Sequence, residues 1–349
     1  MKIAQIAPIW YAIPPKGYGG IEYVVHCITE GLVKKGHDVT LFASGDSVTK
    51  AKLISPYKVA PTERIGQTYP DLIHVMQAYQ MAGEFDIIHD HSGLIGPVIG
   101  SFTNAPVLHT LHGPATDEAK VFYGKLKDRI YFNGISDYQR ENFGDLNFVG
   151  TIYNGVDLEK YEYTDKKEDY MFFIGRMNPE KGAHVAVEVA RKTGKKLIMV
   201  SKMTEPHEKA YYEEKVKPLL APNIELMGEV DTKTKVEMYK KASCVLFPIQ
   251  WPEPFGLVMT EAMACGTPVL AMRNGSVPEV IDHGTTGFIC NTTDEMVEAV
   301  SKVDTIEPID CRRHVEKRFS THKMVDCYVK AYIKILEKEN KYYELPSVA

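Results

Sequence analysis

The chain of 349 residues is short of several things, and each absence narrows what it does. No uninterrupted apolar run approaches the roughly 18 residues that a membrane-spanning helix needs, so no transmembrane segment is expected. Positive charge is not in excess. Lys+Arg is 41 against Asp+Glu 46, a formal net charge of −5, so there is no global electrostatic footprint for nucleic acid or an anionic membrane. A local basic pocket and a peripheral membrane contact both stay open. There is no C-x-x-C, and the six cysteines (Cys27, Cys244, Cys265, Cys290, Cys311, Cys327) are scattered, most of them in apolar runs. They read as reduced core thiols of a cytoplasmic protein rather than as a disulfide frame or a zinc site. The first eleven residues carry a single lysine and an early Pro8, and look like a first strand rather than a signal peptide. Finally, Asp-x-Asp occurs nowhere, so a metal-bridged phosphate site built on that motif is unsupported. Cationic side chains and helix termini would have to balance such charge instead.

What is present is ordinary globular composition, 44% apolar and 25% charged, in a length that suggests about two domains. Short β-branched runs alternate with amphipathic windows. Residues 3–7, 39–43, 87–89, 107–111 and 130–135 read as strands. Residues 21–35 read as a helix, with Val24, Val25, Ile28 and Leu32 on one face and Gly36 as its stop. Around residues 151–165 the texture turns turn-like, then charged and tyrosine-rich, and the domain junction is placed there. The alternation restarts with strands at 170–174, 197–201, 224–227, 245–248 and 268–271, and helices at 179–193, 232–242 and 255–265. Residues 320–340 read as one terminal helix with Met324, Tyr328, Ala331 and Ile335 on a stripe. The fold class is therefore α/β, with two doubly wound parallel sheets in series. The polar stretch 44–70 is not needed by the strand count and reads as a functional loop.

In open parallel sheets, ligands bind beyond the carboxyl ends of the strands, so the residues that follow each strand carry the chemistry. After the first strand, Gly17-Tyr18-Gly19-Gly20 leads into a helix. Paired glycines there let backbone N–H groups approach an anion, and a plain tight turn is the simpler alternative. In the 107–111 strand, alternation puts Val107, His109 and Leu111 on one side and Leu108, Thr110 and His112 on the other. His112 comes last and projects at the rim. His109 reads as a satisfied sheet residue. His89 and His91 flank Asp90, too close in sequence to converge on one ion, and are expected to make loop hydrogen bonds. After residues 170–174, Arg176 and Lys181 bracket a helix N-terminus that opens at Pro179. Two cations there are costly unless an anion offsets them, which argues for a phosphate site over solvated surface charge. The strongest signal lies at residues 251–266. Glu261 sits in an almost wholly apolar helix, and a buried carboxylate must be hydrogen-bonded or neutralised. Glu253 precedes that helix between Pro252 and Pro254, and the amides of Phe255, Gly256 and Leu257 make a helix-start anion nest. The two carboxylates are expected to face one cleft. An ion pair between Glu261 and a cation elsewhere in the chain is the alternative.

Taken in order, seven segments resemble the retaining glycosyltransferases of family 4, over nearly the whole chain. They are Gly19-Gly20, Thr110-Leu111-His112, Tyr153-Asn154-Gly155-Val156-Asp157, Gly175-Arg176 with Pro179-Glu180-Lys181-Gly182, Gly228-Glu229-Val230, Glu253 with Glu261, and Gly275-Ser276-Val277-Pro278-Glu279. The resemblance implies the GT-B fold, two Rossmann-like domains facing across a cleft. Residues 1–152 would bind the acceptor and 153–168 would link. Residues 169–319 would bind the nucleotide sugar, and 320–349 would cross back as a helix to the first domain. The implied reaction moves a hexose from a nucleoside-diphosphate sugar, a UDP-sugar in preference to a GDP-sugar, to a hydroxyl of a small molecule, glycan or lipid, without cofactor or metal. In that scheme Gly19 and Gly20 approach the diphosphate, and Arg176 and Lys181 neutralise it with the amides of Leu257 and Val258. Glu261 accepts the ribose hydroxyls. Glu253, with the Phe255 and Gly256 backbone, holds the transferred sugar, and His112 contacts that sugar from the first domain. The loop from Met227 to Val230 receives the base. The first 50 residues resemble a bacterial branch similar to tetrahydrobiopterin glucosyltransferase, which points to a small soluble acceptor, with a cell-surface glycan or lipid equally open. Gly275-Ser276 departs from the family's usual Gly-Gly. A nucleotide-sugar epimerase of the same fold and a non-catalytic nucleotide-sugar binder are the competing readings, and Arg176, Lys181 and the glutamate pair fit transfer better than either.

Overall fold

The computed structural model describes residues 1–17 and 19–339. They form two compact units, Met1–Gly155 together with the segment that begins at Thr321, and Val156–Ser320. Tyr18 of the glycine loop and residues 340–349 of the terminal stretch lie outside the described residues.

The first unit is built on seven strands, β1 (Lys2–Ile6), β2 (Asp38–Phe42), β3 (Lys52–Ile54), β4 (Ile87–Asp90), β5 (Val107–Thr110), β6 (Tyr131–Gly134) and β7 (Phe148–Thr151). All pair in parallel in the order β3-β2-β1-β4-β5-β6-β7. Parallel neighbours need crossovers. Helices α1 (Gly20–Lys34), α2 (Thr68–Gln80), α3 (Ile95–Gly100), α4 (Asp117–Gly124) and α5 (Asp137–Phe143) provide most of them. The central strands are buried along their length and show no alternation: β4, β5 and β6 each open with two apolar or aromatic residues and then carry the buried polar residues His89 and Asp90, His109 and Thr110, and Asn133.

The second unit has six parallel strands, β8 (Tyr170–Arg176), β9 (Lys196–Lys202), β10 (Ile224–Met227), β11 (Cys244–Phe247), β12 (Val269–Met272) and β13 (Gly287–Cys290), in the order β10-β9-β8-β11-β12-β13. Its helices are α6 (Ala183–Thr193), α7 (Pro206–Tyr211), α8 (Thr232–Lys241), α9 (Leu257–Ala264), α10 (Val277–Val280), α11 (Thr293–Val300) and α12 (Pro308–Arg318). The last helix, α13 (Thr321–Lys338), belongs to the first unit and buries Met324, Val325, Tyr328, Ala331, Tyr332, Ile335 and Leu336. It packs on α1 so closely that a Cβ at Gly31 would come within 2.5 Å of Val325.

Four local expectations change. The helix expected at 179–193 is a 3-10 turn, Pro179–Lys181, followed by α6. Gly182 separates them at φ 71, and a Cβ there would lie 2.0 Å from the Pro248 carbonyl oxygen, so only glycine fits. The polar stretch 44–70 holds the edge strand β3, whose three residues are not buried and so carry little pattern. Strands β7 and β13 also went unrecognised. The charged stretch after residue 155 is no free linker. Tyr161 is fully buried in the second unit, and the Lys167 ammonium donates to the carbonyls of Lys240 and Cys265 and to Thr267. All six cysteines are free thiols, five of them buried. Among the described residues no helix is long and apolar enough to cross a membrane.

Candidate active site

In the second unit the strand order reverses between β8 and β11, which places the ligand crevice at their carboxyl ends. Arg176 is the last residue of β8, and its Nε donates to Glu208 Oε1 at 2.8 Å. Glu208 is buried, and its Oε2 accepts the Thr204 and Glu205 amides at 2.8 and 3.0 Å at the start of α7. Burial works to raise the Glu208 pKa, but those amides and the guanidinium outweigh it and hold the carboxyl below its usual range. Arg176 is thus fixed by its Nε edge.

Lys181 rises from the 3-10 turn. Asn178 Oδ1 caps that turn by accepting the Lys181 amide at 3.1 Å. The Lys181 ammonium donates to Glu253 Oε2 at 2.5 Å and lies 5.1 Å from the centre of the Trp251 ring. Trp251 Nε1 donates to the same oxygen at 2.8 Å. Both donors therefore occupy Oε2, and among the described residues Glu253 Oε1 has no partner. A few residues on, Gly256 at φ 82 turns the chain into α9, whose first amides have no side-chain cap. Ser276 braces this loop, its hydroxyl donating to the Phe255 carbonyl at 2.8 Å and its amide to the Glu253 carbonyl at 3.0 Å. The serine that departs from the family's Gly-Gly is fully buried and bonds to backbone.

Glu261 is nearly buried on α9. Its Oε1 accepts Tyr161 at 2.5 Å and Lys235 at 2.9 Å, and its Oε2 accepts Tyr239 at 2.9 Å. A carboxylate offers about four lone-pair positions, so roughly one remains, on Oε2. These contacts correct two expectations. Arg176 and Lys181 already have protein counter-charges in Glu208 and Glu253, so they do not by themselves demand an external anion. Glu261 does have a cation from elsewhere in the chain, Lys235. Glu253 and Glu261 share no hydrogen-bond partner. Beside Arg176, a cavity of about 390 Å³ is lined by Met177, Ser201, Lys202, Met203, Thr204, Leu226, Met227, Gly228 and Glu229. It includes the expected Met227 loop, but Val230 is not among its lining residues.

In the first unit the order reverses between β1 and β4. Gly19 caps α1 at φ 148, and a Cβ there would come within 2.7 Å of Pro15, so the close turn requires glycine. Gly20 is the first residue of α1. Burial raises the pKa of Glu22, in the first turn, to about 7. His112 lies two residues past β5, half-buried, with its Nε2 2.9 Å from His91 Nδ1. His89 and His91 do not make loop hydrogen bonds as expected. His89 bonds Tyr332 of α13 at 2.6 Å and Thr110 at 2.7 Å, and His91 bonds Gln5 at 3.3 Å. Asp90 and His109 point to the opposite face, 3.5 Å apart. Burial and mutual repulsion push the His89 and His91 pKa values well below 6.5, and burial and then the charge on His109 push His112 to about 3. Among the described residues no group of His, Cys, Asp or Glu is disposed to hold a metal ion.

Two family models tile the chain. Glycosyltransferase Family 4 matches residues 18–160, and Glycosyl transferases group 1 matches residues 158–318. The chain belongs to the family 4 glycosyltransferases. It is therefore a transferase, acting in glycosyl transfer from a nucleotide sugar, and its two parallel-sheet units are those of the GT-B fold. It is 24% identical to phosphatidyl-myo-inositol mannosyltransferase of Mycobacterium tuberculosis, over 87% of this chain and 86% of that protein. Among solved structures it is similar to AviGT4, a glycosyltransferase involved in avilamycin A biosynthesis, with TM-score 0.76 and 23% identity over 97% of this chain and 98% of that one. It is also similar to HepE of Anabaena, solved with UDP and glucose, with TM-score 0.73 and 18% identity over 96% and 100%. Sequence reasoning missed Glu208, Tyr161, Lys235 and Tyr239, and gave His91 other partners than Gln5 and His112. Only Trp251, inside the segment carrying Glu253, had a local signal.

Proposed function

We propose that this glycosyltransferase moves a hexosyl group from a UDP-sugar to an acceptor hydroxyl with retention at the anomeric carbon, and that side-chain cations and helix-start amides carry the charge a metal carries elsewhere. The anomeric C–O bond to the diphosphate breaks, the acceptor oxygen bonds to the same face of the sugar, and its proton leaves to a departing phosphate oxygen. The observation that carries this reading is the Lys181–Glu253–Trp251 cluster. It pins the ammonium at 2.5 Å on one carboxylate oxygen, with the bare amides of α9 a few residues on. An ammonium has three N–H donors, so Lys181 keeps donors for a phosphate while Glu253 keeps Oε1 for a sugar hydroxyl. Fixed donors aimed at the leaving group lower the barrier more than anything else such an enzyme supplies. The cavity at Met227 takes the base, and Glu261 the ribose. The UDP and glucose held by HepE support the choice of nucleotide. Gly19, Gly20 and His112 keep the roles that the resemblance gives them.

The test is a thermal-shift panel of UDP, GDP and ADP, then of their sugars, followed by product analysis with and without EDTA. A ligand bound only by the folded state raises the melting temperature with occupancy. UDP should give the largest shift, and UDP release should survive EDTA. An epimerised sugar with no UDP release refutes the transfer reading. Abolition of activity by EDTA, reversed by a divalent cation, refutes its metal independence.

A further inference from the structure

The face of the first sheet that carries Gln5, His89, Thr110 and Asn133 meets Tyr328 and Tyr332 of α13 in one chain of hydrogen bonds, and the amide orientations of Asn133 and Gln5 set its direction. Thr110 gives its hydroxyl proton to Asn133 Oδ1 at 2.8 Å, so it accepts from His89, and His89 carries its proton on Nε2. His89 Nδ1 is then bare and accepts the Tyr332 hydroxyl at 2.6 Å. Tyr332 in turn accepts the Gln5 amide N–H at 3.1 Å. That turns Gln5 Oε1 toward His91, whose Nε2 must donate to it at 3.3 Å. His91 Nδ1 is therefore bare, and the 2.9 Å contact with His112 requires the proton to sit on His112 Nε2. His112 Nδ1 is left as a lone pair with no partner among the described residues. The direction holds while all three rings are neutral. His89 and His91 are buried, His112 is half-buried beside them, and the centroids are 4.0 Å apart for His89–His91 and 5.2 Å for His91–His112, which keeps the rings neutral.

We propose that His91 is the positioning residue that holds His112 in its Nε2–H form, so that His112 offers Nδ1 as an acceptor to a hydroxyl of the bound sugar. The inference rests on the reading that His112 touches substrate, and it adds a requirement of its own. The group facing His112 must donate a hydrogen bond, so a sugar with that hydroxyl replaced by hydrogen or methoxy loses the contact.

The test joins spectroscopy to kinetics. In protein labelled with 15N-histidine, long-range proton–nitrogen correlations show which ring nitrogen is protonated. Wild-type His112 should be Nε2–H at pH 7. His91→Asn, whose carbonyl oxygen stands near the position of Nδ1, should keep that form and most of kcat. His91→Leu should mix the two forms and lower kcat on the order of tenfold to a hundredfold, as wrong-tautomer and misplacement effects do, with UDP affinity unchanged. An Nδ1–H tautomer in the wild type overturns the proposal, and so does His91→Leu with wild-type tautomer and kcat. Should His91→Leu not fold, the wild-type spectrum and His91→Asn still decide. His112→Ala separates the two claims. A wild-type kcat there removes the substrate contact, while the tautomer measured in the intact enzyme stands or falls independently.

Discussion

Replacing Glu261 by alanine removes an acceptor shared by Tyr161, Lys235 and Tyr239. Tyr239 is fully buried, so its hydroxyl would be left without its acceptor in a dry setting, a loss of about 1–3 kcal/mol. Lys235 is 22% exposed and can swing toward water, which places its share below the roughly 3–5 kcal/mol of a broken buried pair. These losses overlap because the three donors crowd one group, so the expected total is roughly 3–5 kcal/mol rather than their sum. For a unit of this size that is a drop in melting temperature of roughly 6–20 °C. Calorimetry and urea titration of the full chain measure it, and isothermal titration with UDP measures the second consequence. The lone-pair position on Oε2 leaves with the carboxylate, so UDP affinity should fall as well. A variant within about 1 kcal/mol of wild type would show that Glu261 is not held as described. Unchanged UDP affinity would remove its ribose role while leaving the packing argument intact.

Three further outcomes are expected. Lys181→Ala should lower turnover more than a hundredfold, on the order of 3 kcal/mol of leaving-group stabilisation, and a near-wild-type rate in steady-state assays would contradict its assignment. Gly182→Ala forces a left-handed φ of 71 on alanine and a Cβ against the Pro248 carbonyl, and should cost about 2–4 kcal/mol in urea unfolding while slowing turnover through Lys181. Stability should fall with acid. Burial chiefly holds His37 and His74 at about 4 and His112 at about 3, so below pH 6.5 the unfolded chain binds the extra protons and stability declines toward those values. Glu22, raised to about 7, has the opposite sign, because its stabilising proton is bound below 4.5 and lost as pH rises through 7. Glu22→Gln should therefore steepen the acid decline between pH 7 and 4.5 by up to about 1.4 kcal/mol per pH unit, and identical slopes in the two proteins would refute this.

The parts of the fold that were legible were those with local causes. α1 was visible in its apolar stripe and its Gly36 stop, and β8, β9 and β11 in their apolar runs. The acidic positions Glu253 and Glu261 stood out because a carboxylate among apolar neighbours is conspicuous. Their partners did not, because nothing near Lys235 on the polar helix α8, or near Tyr161 in the charged stretch before β8, announces a contact made 26 or 100 residues away. Glu208 carries no local signal, because its place against Arg176 depends on how α7 packs. β3 escaped because an exposed three-residue edge strand has no face to pattern. His91 was visible as a residue, but its role was not, since that depends on Gln5 and on the far end of the chain.

The dependence of the first unit on α13 reaches back to synthesis. Tyr328 and Tyr332 complete its polar layer, and Val325 fills the notch at Gly31, yet Tyr328 follows Thr110 by 218 residues and Tyr332 follows Gln5 by 327. At ~5–20 residues per second, the strands of the first unit wait on the order of ten seconds or more for that helix. A nonsense codon shortly before Thr321 would therefore harm the portion translated first, leaving Gln5, His89 and Asn133 open to chaperones and proteases.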